Sequence, residues 1–328
     1  MESFRALVSR GDGKGANSYN IEQCEADQLP ENDVLIRVHY SSLNFKDALC
    51  AKGHKGITRS YPHTPGIDAA GEVVASETDH FSKGDEVIVT GFDLGMNTWG
   101  GFSEFISVPS KWVIRKPAKL SAEQAMAFGT AGLTAGISFW KLKKLGISNG
   151  TLVVTGASGG VGSLSVLLGK HLGFNVTACS RKEDEYEWIL RLGADKIMSY
   201  DELVASPEKP LLSALADAAI DTVGGEILSG LTRLIDKEGA IAICGNASGH
   251  LFETTVYPSI LRGVSYLGVD SAHLSLENRV EIWQMLEKEW YSPDLNELYS
   301  VITLDDLPDE IERISQGKQI GRKVIRLI

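Results

Sequence analysis

The sequence is poor in cysteine, and the few it has rule out two classes of protein. Cys24, Cys50, Cys179 and Cys244 are widely scattered, and no two are spaced as a CxxC pair. That excludes a disulfide scaffold and a cysteine-built zinc finger, and it fits a reducing, cytoplasmic setting. Long apolar runs are missing, so no transmembrane helix is expected. The opening residues, MESFRALVSRGDG, contain no apolar signal core, so export is not expected. Positive charge is also in deficit: 32 Lys and Arg stand against 43 Asp and Glu, a net charge of −11. Nucleic acid and anionic membrane surfaces are therefore poor partners. The seven histidines, His39 and His63 among them, fall at no metal-ligand spacing. No Ser-His-Asp set, pair of carboxylates or activated cysteine stands out, and there is no low-complexity tract or short repeat.

What the sequence does have is organised around Thr151 to Arg181, TLVVTGASGGVGSLSVLLGKHLGFNVTACSR. Leu152-Val153-Val154 has the composition of a buried parallel strand. A turn with Gly156, Gly159, Gly160 and Gly162 follows. Val161, Leu164, Val166, Leu167, Leu168 and Leu172 then recur at helical spacing up to Gly173, and Val176 to Cys179 reads as the next strand. A strand–turn–helix–strand of this kind sets backbone N–H groups and a helix N-terminus against a diphosphate, so Ser158, Gly159, Gly160, Val161 and Gly162 are candidate ligands. At the end of the second strand an NAD site usually carries Asp or Glu for the ribose 2′-hydroxyl. Here Ser180, Arg181 and Lys182 stand there, a hydroxyl and two cations suited to a 2′-phosphate, which points to NADPH. Glu183 and Asp184, just beyond, read as the first turn of the next helix.

The 328 residues, 43% of them hydrophobic, suffice for two cores. Up to about residue 120 the pattern is β-rich, with short runs at 4–9, 19–24, 34–39, 71–75, 86–90 and 102–108 and a helical stretch near 45–51. Ser121 with Gln124 forms a capping box that opens a helical tract through Gly129 to Leu145. Strands and helices then alternate, with strands at 151–155, 176–179, 196–199, 219–223, 240–244 and 265–269, and a helix over 276–290. This is the signature of a doubly wound parallel sheet. Strand character returns at 319–328, where the chain can rejoin its first domain and set the active cleft between the domains. The expected α/β architecture is a β-rich catalytic domain, 1–120 and 292–328, plus a Rossmann cofactor domain, 121–291.

A β-rich N-terminal domain, a mid-chain GASGGVG and a C-terminal return resemble the medium-chain dehydrogenase/reductase superfamily. SSLNFKDAL at 41–49, PGIDAAGEV at 65–73, GTAGLTAG at 129–136 and ILRGVSYLGVDS at 260–271 resemble its quinone oxidoreductase-like, acrylyl-CoA reductase branch. The resemblance implies that the β-rich domain is GroES-like. Zinc-bearing relatives carry Cys where this chain has Asn44 and His where it has Ile67, and they have a four-cysteine loop that this chain lacks; no metal is expected. The TGxxxGxG pattern of short-chain dehydrogenases is also matched at 155–162. Those enzymes carry it near the N-terminus and add a Tyr-x-x-x-Lys, which no tyrosine of this chain begins. The resemblance further implies that Asn44, Phe45 and Thr130 lie near the nicotinamide. It places Ser180, Arg181, Lys182 and Tyr200 around the ribose phosphate, Asn246, Ile260 and Ser271 along the nicotinamide half, and Arg322 facing the cleft. A small apolar residue is usual in the family where Asn246 stands.

In such a fold the cofactor carries the difficult chemistry. Hydride passes to the β-carbon of a conjugated carbonyl, and the protein stabilises the charge that develops on the carbonyl oxygen. Asn44 is the candidate orienter, by donating to that oxygen or by holding the nicotinamide ribose. The sequence names no acid to protonate the α-carbon. Lys52, His54, Lys55 and Arg59, interrupted by Gly53 and Gly56, form a basic stretch that suits the phosphates of coenzyme A or is a solvated loop. Three readings stay open: an NADPH-dependent reductase of acrylyl-CoA or a similar enoyl thioester, an NADPH:quinone or enone reductase, and an NADPH-binding sensor without turnover. A homodimer joined through the cofactor domains is expected, with the strand at 265–269 on the sheet edge.

Overall fold

The structure, a computed structural model, describes residues 3–11 and 17–328. The chain forms two compact units, one made of Met1–Thr130, Ala272–Glu287 and Tyr299–Ile328, the other of Ala131–Ser271 and Lys288–Leu298.

The first unit is built on Val34–Ser42. Val34, Ile36 and Val38 are buried while Leu35 and Arg37 are less so, the period of two that turns alternate side chains to one core. Three strands pair with it, all antiparallel: Asp68–Ser76, Phe105–Val108 and the C-terminal Arg322–Arg326. Glu86–Thr90, Ile114–Arg115 and Tyr299–Thr303 complete a seven-stranded sheet. The expected return of the tail is therefore made by Val324 to Arg326 against Tyr40 to Ser42. A separate hairpin, Ser3–Arg10 with Ser18–Glu25, packs Phe4, Ala6, Val8 and Cys24 with Phe105.

The helix Leu276–Glu287 follows the β–α alternation of the second unit in sequence but belongs to the first. Buried Arg279 explains this: its Nη1 donates to Thr90 O at 2.6 Å and Thr90 Oγ1 at 3.1 Å, and its guanidinium lies 4.2 Å from the centre of the Phe92 ring. Trp283 meets Phe128 edge to face at 6.4 Å. Periodicity reports that a helix is amphipathic, not which sheet it packs on. The same contacts put residues 121–130 and 272–287 with the first unit, where the sequence reading drew the boundary at 120/121 and the return at 292.

The second unit is a six-stranded, all-parallel sheet in the order Lys196–Met198, Phe174–Cys179, Gly150–Thr155, Ala216–Asp221, Ile235–Ile243, Ser265–Gly268. Counted along the chain this is 3-2-1-4-5-6, the doubly wound arrangement. Strand order reverses between Gly150–Thr155 and Ala216–Asp221, and ligands of such sheets bind at the carboxyl ends of strands at that switch point. The helix Ala122–Lys144 starts on the expected capping box: Gln124 N donates to Ser121 Oγ at 3.0 Å and Ser121 N to Gln124 Oε1 at 3.1 Å. It is broken at Gly129, where φ is +50° and ψ −152°.

Candidate functional site

In the second unit the glycine turn joins Gly150–Thr155 to the helix Gly160–His171, with Gly159 as N-cap. Gly156 has φ +62°, and a Cβ on it would lie 2.3 Å from Thr222 Oγ1. A Cβ on Gly162 would lie 2.1 Å from Gly156 O, so the helix can close on the turn only because that residue is glycine. The first-turn N–H groups of an α-helix have no intrahelical acceptor, which makes this end a place for an anion. Ser158 is buried beside it.

A lateral clamp that the sequence did not reveal holds the two strands of the switch point together. Thr155 Oγ1 donates to Asp221 Oδ1 at 2.6 Å, Thr222 Oγ1 donates to Thr155 O at 2.9 Å, and Gly224 N donates to Asp221 Oδ2 at 2.8 Å. Burial raises the Asp221 carboxyl above the usual range, against these hydrogen bonds.

At the neighbouring strand end, Ser180 is buried; its Oγ accepts from Lys182 N at 3.2 Å, and its carbonyl accepts from Tyr186 OH at 3.1 Å. Arg181 is exposed and stands 5.8 Å from the centre of the Tyr200 ring. Tyr200 opens a helix capped by Ser199, and burial pushes its phenol up to about 12. Lys182 is paired with Glu185 at 3.0 Å. Glu183 does sit in a helical first turn, the 3-10 turn Glu183–Glu185. Of the residues expected along the nicotinamide half, Asn246 is exposed, Ser271 is half-buried and Ile260 is 67% exposed.

In the first unit the structure assembles a buried polar network of which the sequence singled out Asn44, Thr130 and Arg322, but not Asp68, Asp47 or Ser42. Asp68 is wholly buried. Its carboxylate accepts from Ser42 Oγ at 2.6 Å, Asn44 Nδ2 at 2.8 Å, Thr130 Oγ1 at 2.6 Å and Thr130 N at 2.9 Å. Arg322, 1% exposed, lies 3.9 Å from the same carboxylate. Its guanidinium donates to Ala127 O at 3.1 Å, Leu43 O at 3.0 Å, Asn44 Oδ1 at 3.1 Å and Ser42 Oγ at 2.7 Å. Arg322 was expected to face a cleft; instead it is enclosed, because three backbone and side-chain acceptors of 42–44 and the carbonyl of Ala127 converge on it. Asn44 is gripped from both sides. Its oxygen faces the guanidinium, and its amide nitrogen faces Asp68, with Ser42 O at 3.2 Å and Asp47 Oδ2 at 3.3 Å. The amide orientation is thereby fixed by charge, and both amide hydrogens point into the network. Of the two roles the sequence suggested for Asn44, a free donor aimed at a substrate oxygen is not what it presents; the other is a hold on the nicotinamide ribose.

Asp47 is the second buried carboxylate. It accepts from Ile67 N at 2.9 Å and Asn44 N at 2.8 Å. Burial first, and the nearby Asp68 charge second, push its carboxyl up to about 7, against those N–H groups. Burial lowers the Arg322 guanidinium, opposed by Asp68 and Asp47.

Gly129 makes the network possible. A Cβ there would lie 2.6 Å from Asp68 Oδ2, 2.6 Å from Ser42 Oγ and 2.9 Å from Arg322 Nη2. Its left-handed backbone breaks the long helix, so that Thr130 opens the next turn with its N–H on Asp68. Asp68, Asp47 and Ser42 lie within the segments PGID, NFKD and SSLN that carried the family resemblance. Three polar residues next to apolar ones in a strand-rich domain were the available signal. Phe45 follows Asn44 half-exposed. In the basic stretch, Lys52 is bound to Glu312 at 2.8 Å, while Lys55 and Arg59 are exposed. The three cations do not converge on one another through any shared partner among the described residues.

A parallel sheet with a glycine turn at its switch point defines the dinucleotide-binding class, and a GroES-like companion unit narrows it further. Residues 30–118 match the family described as the alcohol dehydrogenase GroES-like domain, and 160–288 the family described as zinc-binding dehydrogenase. The chain is 39% identical to the probable acrylyl-CoA reductase AcuI of Escherichia coli over 98% of both chains. It is 37% identical to the putative quinone oxidoreductase YhfP of Bacillus subtilis over 99% of both. The solved structure of that Bacillus subtilis protein, with NAD bound, superposes at a TM-score of 0.96 over 100% of both chains, at 35% identity. The yhdH oxidoreductase of Salmonella enterica, solved with NADP, gives a TM-score of 0.94 at 40% identity over 99% of this chain and 100% of that one. The chain belongs to the medium-chain dehydrogenase/reductase family. Although one matching family is described as zinc-binding, the donor set here does not fit zinc. Asn44 is locked between Asp68 and Arg322, Ile67 offers no ligand atom, and no group of three or more His, Cys, Asp or Glu among the described residues is arranged to hold a metal.

Proposed function

We propose that the protein is an NADPH-dependent reductase that delivers hydride to the β-carbon of an α,β-unsaturated thioester such as acrylyl-CoA. The observation that carries this reading is the strand end at Ser180, Arg181 and Tyr200, beside a helix N-terminus at the switch point of a doubly wound sheet. The Escherichia coli relative named for acrylyl-CoA reduction supports the substrate class. Bound there, a reduced nicotinamide supplies the hydride.

The chain's own residues bind and orient. Ser158 to Gly162 hold the diphosphate; Ser180 and Arg181 hold the 2′-phosphate with Tyr200 as a stacking surface. At the reacting end, Asn44 and Thr130 are kept in fixed orientation by Asp68 and Arg322, the preorganisation that lets polar groups favour one transition-state geometry. Asn246, Ile260 and Ser271 remain proposed contacts on the resemblance alone.

A quinone oxidoreductase is the second reading, favoured by the Bacillus subtilis relative's name and by the ion pair that occupies Lys52. The test follows NADPH oxidation with acrylyl-CoA, a simple enone and a quinone. Replacing Lys52, Lys55 and Arg59 by Ala is expected to lower kcat/KM for the thioester only. The loss is about 1 kcal/mol or less per residue and shrinks as salt rises. Equal losses on thioester and enone, or a wild type far better on quinones, would favour the second reading.

The same reading includes a homodimer. Ser265–Gly268 is an edge strand, and Leu251, Val256 and Leu261 are exposed close to it in sequence. An apolar surface beside an open strand edge suits a second copy across a two-fold axis. Light scattering at micromolar concentration is expected to give twice the 35.5 kDa chain mass; a single-chain mass would refute it.

A further inference from the structure

The strand end that reads in sequence as a hydroxyl and two cations is electrically different in the fold. The 3-10 turn Glu183–Glu185 sets residues three apart over one another, and Glu185 N donates to Lys182 O at 3.1 Å. This brings Lys182 Nζ to 3.0 Å from Glu185 Oε1. The Glu185 side chain is 8% exposed, and its second oxygen, Oε2, has no hydrogen-bond partner among the described residues. Such a carboxylate leans on the cation paired with it, Lys182. Drawing Lys182 away would leave a buried charge unpaired, a cost that solvent-exposed pairs do not carry. Arg181 is under no such restraint: it is exposed, against the face of Tyr200.

We infer that Glu185 is a specificity-determining positioning residue. It holds Lys182 and cancels its charge, so that discrimination between NADPH and NADH rests on Arg181 and Ser180 and is weaker than two available cations would make it. The inference rests on the reading above, that this strand end receives the 2′-phosphate. A phosphate arriving there competes with Glu185 for Lys182; an NADH ribose, with no phosphate, does not enter that competition.

The experiment measures dissociation constants of NADPH and NADH by fluorescence titration of the full chain. Glu185→Gln removes the charge that holds Lys182. NADPH is expected to bind about three- to tenfold tighter, with NADH changed less than about twofold, the size of one regained, partly screened ionic contact. The gain must disappear in Glu185→Gln combined with Lys182→Met, because it acts through Lys182. Unchanged or weaker NADPH binding in Glu185→Gln overturns the inference, as does an equal change for both cofactors, which is what a purely structural role would give. Should Glu185→Gln fail to fold, Glu185→Asp keeps the charge but shortens its reach by one methylene. A partial gain for NADPH alone is then expected, and a folded Glu185→Asp without it overturns the inference. An Arg181→Ala variant that leaves both constants unaltered overturns the strand-end reading itself, and is separable because it does not involve Glu185.

Discussion

Asp68 offers the sharpest test of the buried network, because two substitutions at one position should differ for a stated reason. Asp68→Ala removes the acceptor of Ser42 Oγ, Asn44 Nδ2, Thr130 N and Thr130 Oγ1. The two hydroxyls can rotate to other partners, and Asn44 Nδ2 keeps Ser42 O at 3.2 Å and Asp47 Oδ2 at 3.3 Å; the chief hydrogen-bond loss is the Asp68 acceptor of the Thr130 N–H, at about 1–3 kcal/mol. Arg322 also loses the counter-charge at 3.9 Å, which for a broken buried pair costs about 3–5 kcal/mol. The expected loss is about 5 kcal/mol or more. Asp68→Asn keeps the shape. Its oxygen can take the place of Oδ2, still accepting from Asn44, Ser42 and, from 3.0 Å, Thr130 N. Its amide can donate to Thr130 Oγ1, which turns from donor to acceptor. The charge is lost, and so is the acceptor that Oδ1 offers Thr130 N at 2.9 Å, so about 3 kcal/mol is expected.

Urea unfolding read by two probes is the assay, since two compact units need not unfold together. On the proposed function, in which Ser158 to Gly162, Ser180 and Arg181 bind NADPH, its affinity should change little in Asp68→Asn, while kcat falls as Asn44 and Thr130 loosen. Equal destabilisation by the two substitutions, or a loss below about 2 kcal/mol for Asp68→Ala, would refute the network as the element that holds the site.

Gly129→Ala forces a side chain into a glycine-only backbone region and into contact at 2.6 Å with Asp68 and Ser42; about 2–5 kcal/mol of stability should be lost, and a neutral outcome in the same unfolding assay would contradict the geometry. Asp47 supplies a pH test. Burial raises its carboxyl in the folded state to about 7, well above the ordinary carboxylate range, so its contribution to stability is present below the unfolded value and is lost as pH rises toward 7. Asp47→Asn should therefore flatten the decline of unfolding free energy between pH 4 and 7, whatever it does to the absolute level; an unaltered slope would show that Asp47 does not titrate there.

The sequence by itself determined the elements whose physics is local. The apolar run before the glycine turn, the helix that follows it, the Ser121–Gln124 capping box and the return of strand character near Arg322 were all legible, because each depends on neighbours a few residues apart. So was the doubly wound sheet, which alternation of strand and helix dictates. What only the tertiary structure decided were partnerships over long separations. Asp68 meets Thr130 and Arg322, Arg279 fastens a late helix onto Thr90, and Thr155 clamps Asp221. A charged residue in a sequence shows its sign but not its counter-charge. Asn44 read as a free donor and Lys182 as a free cation until the fold supplied Asp68 and Glu185. Burial then altered what each group could do, since a charge or amide removed from water must spend its bonds on whatever the chain brings to it.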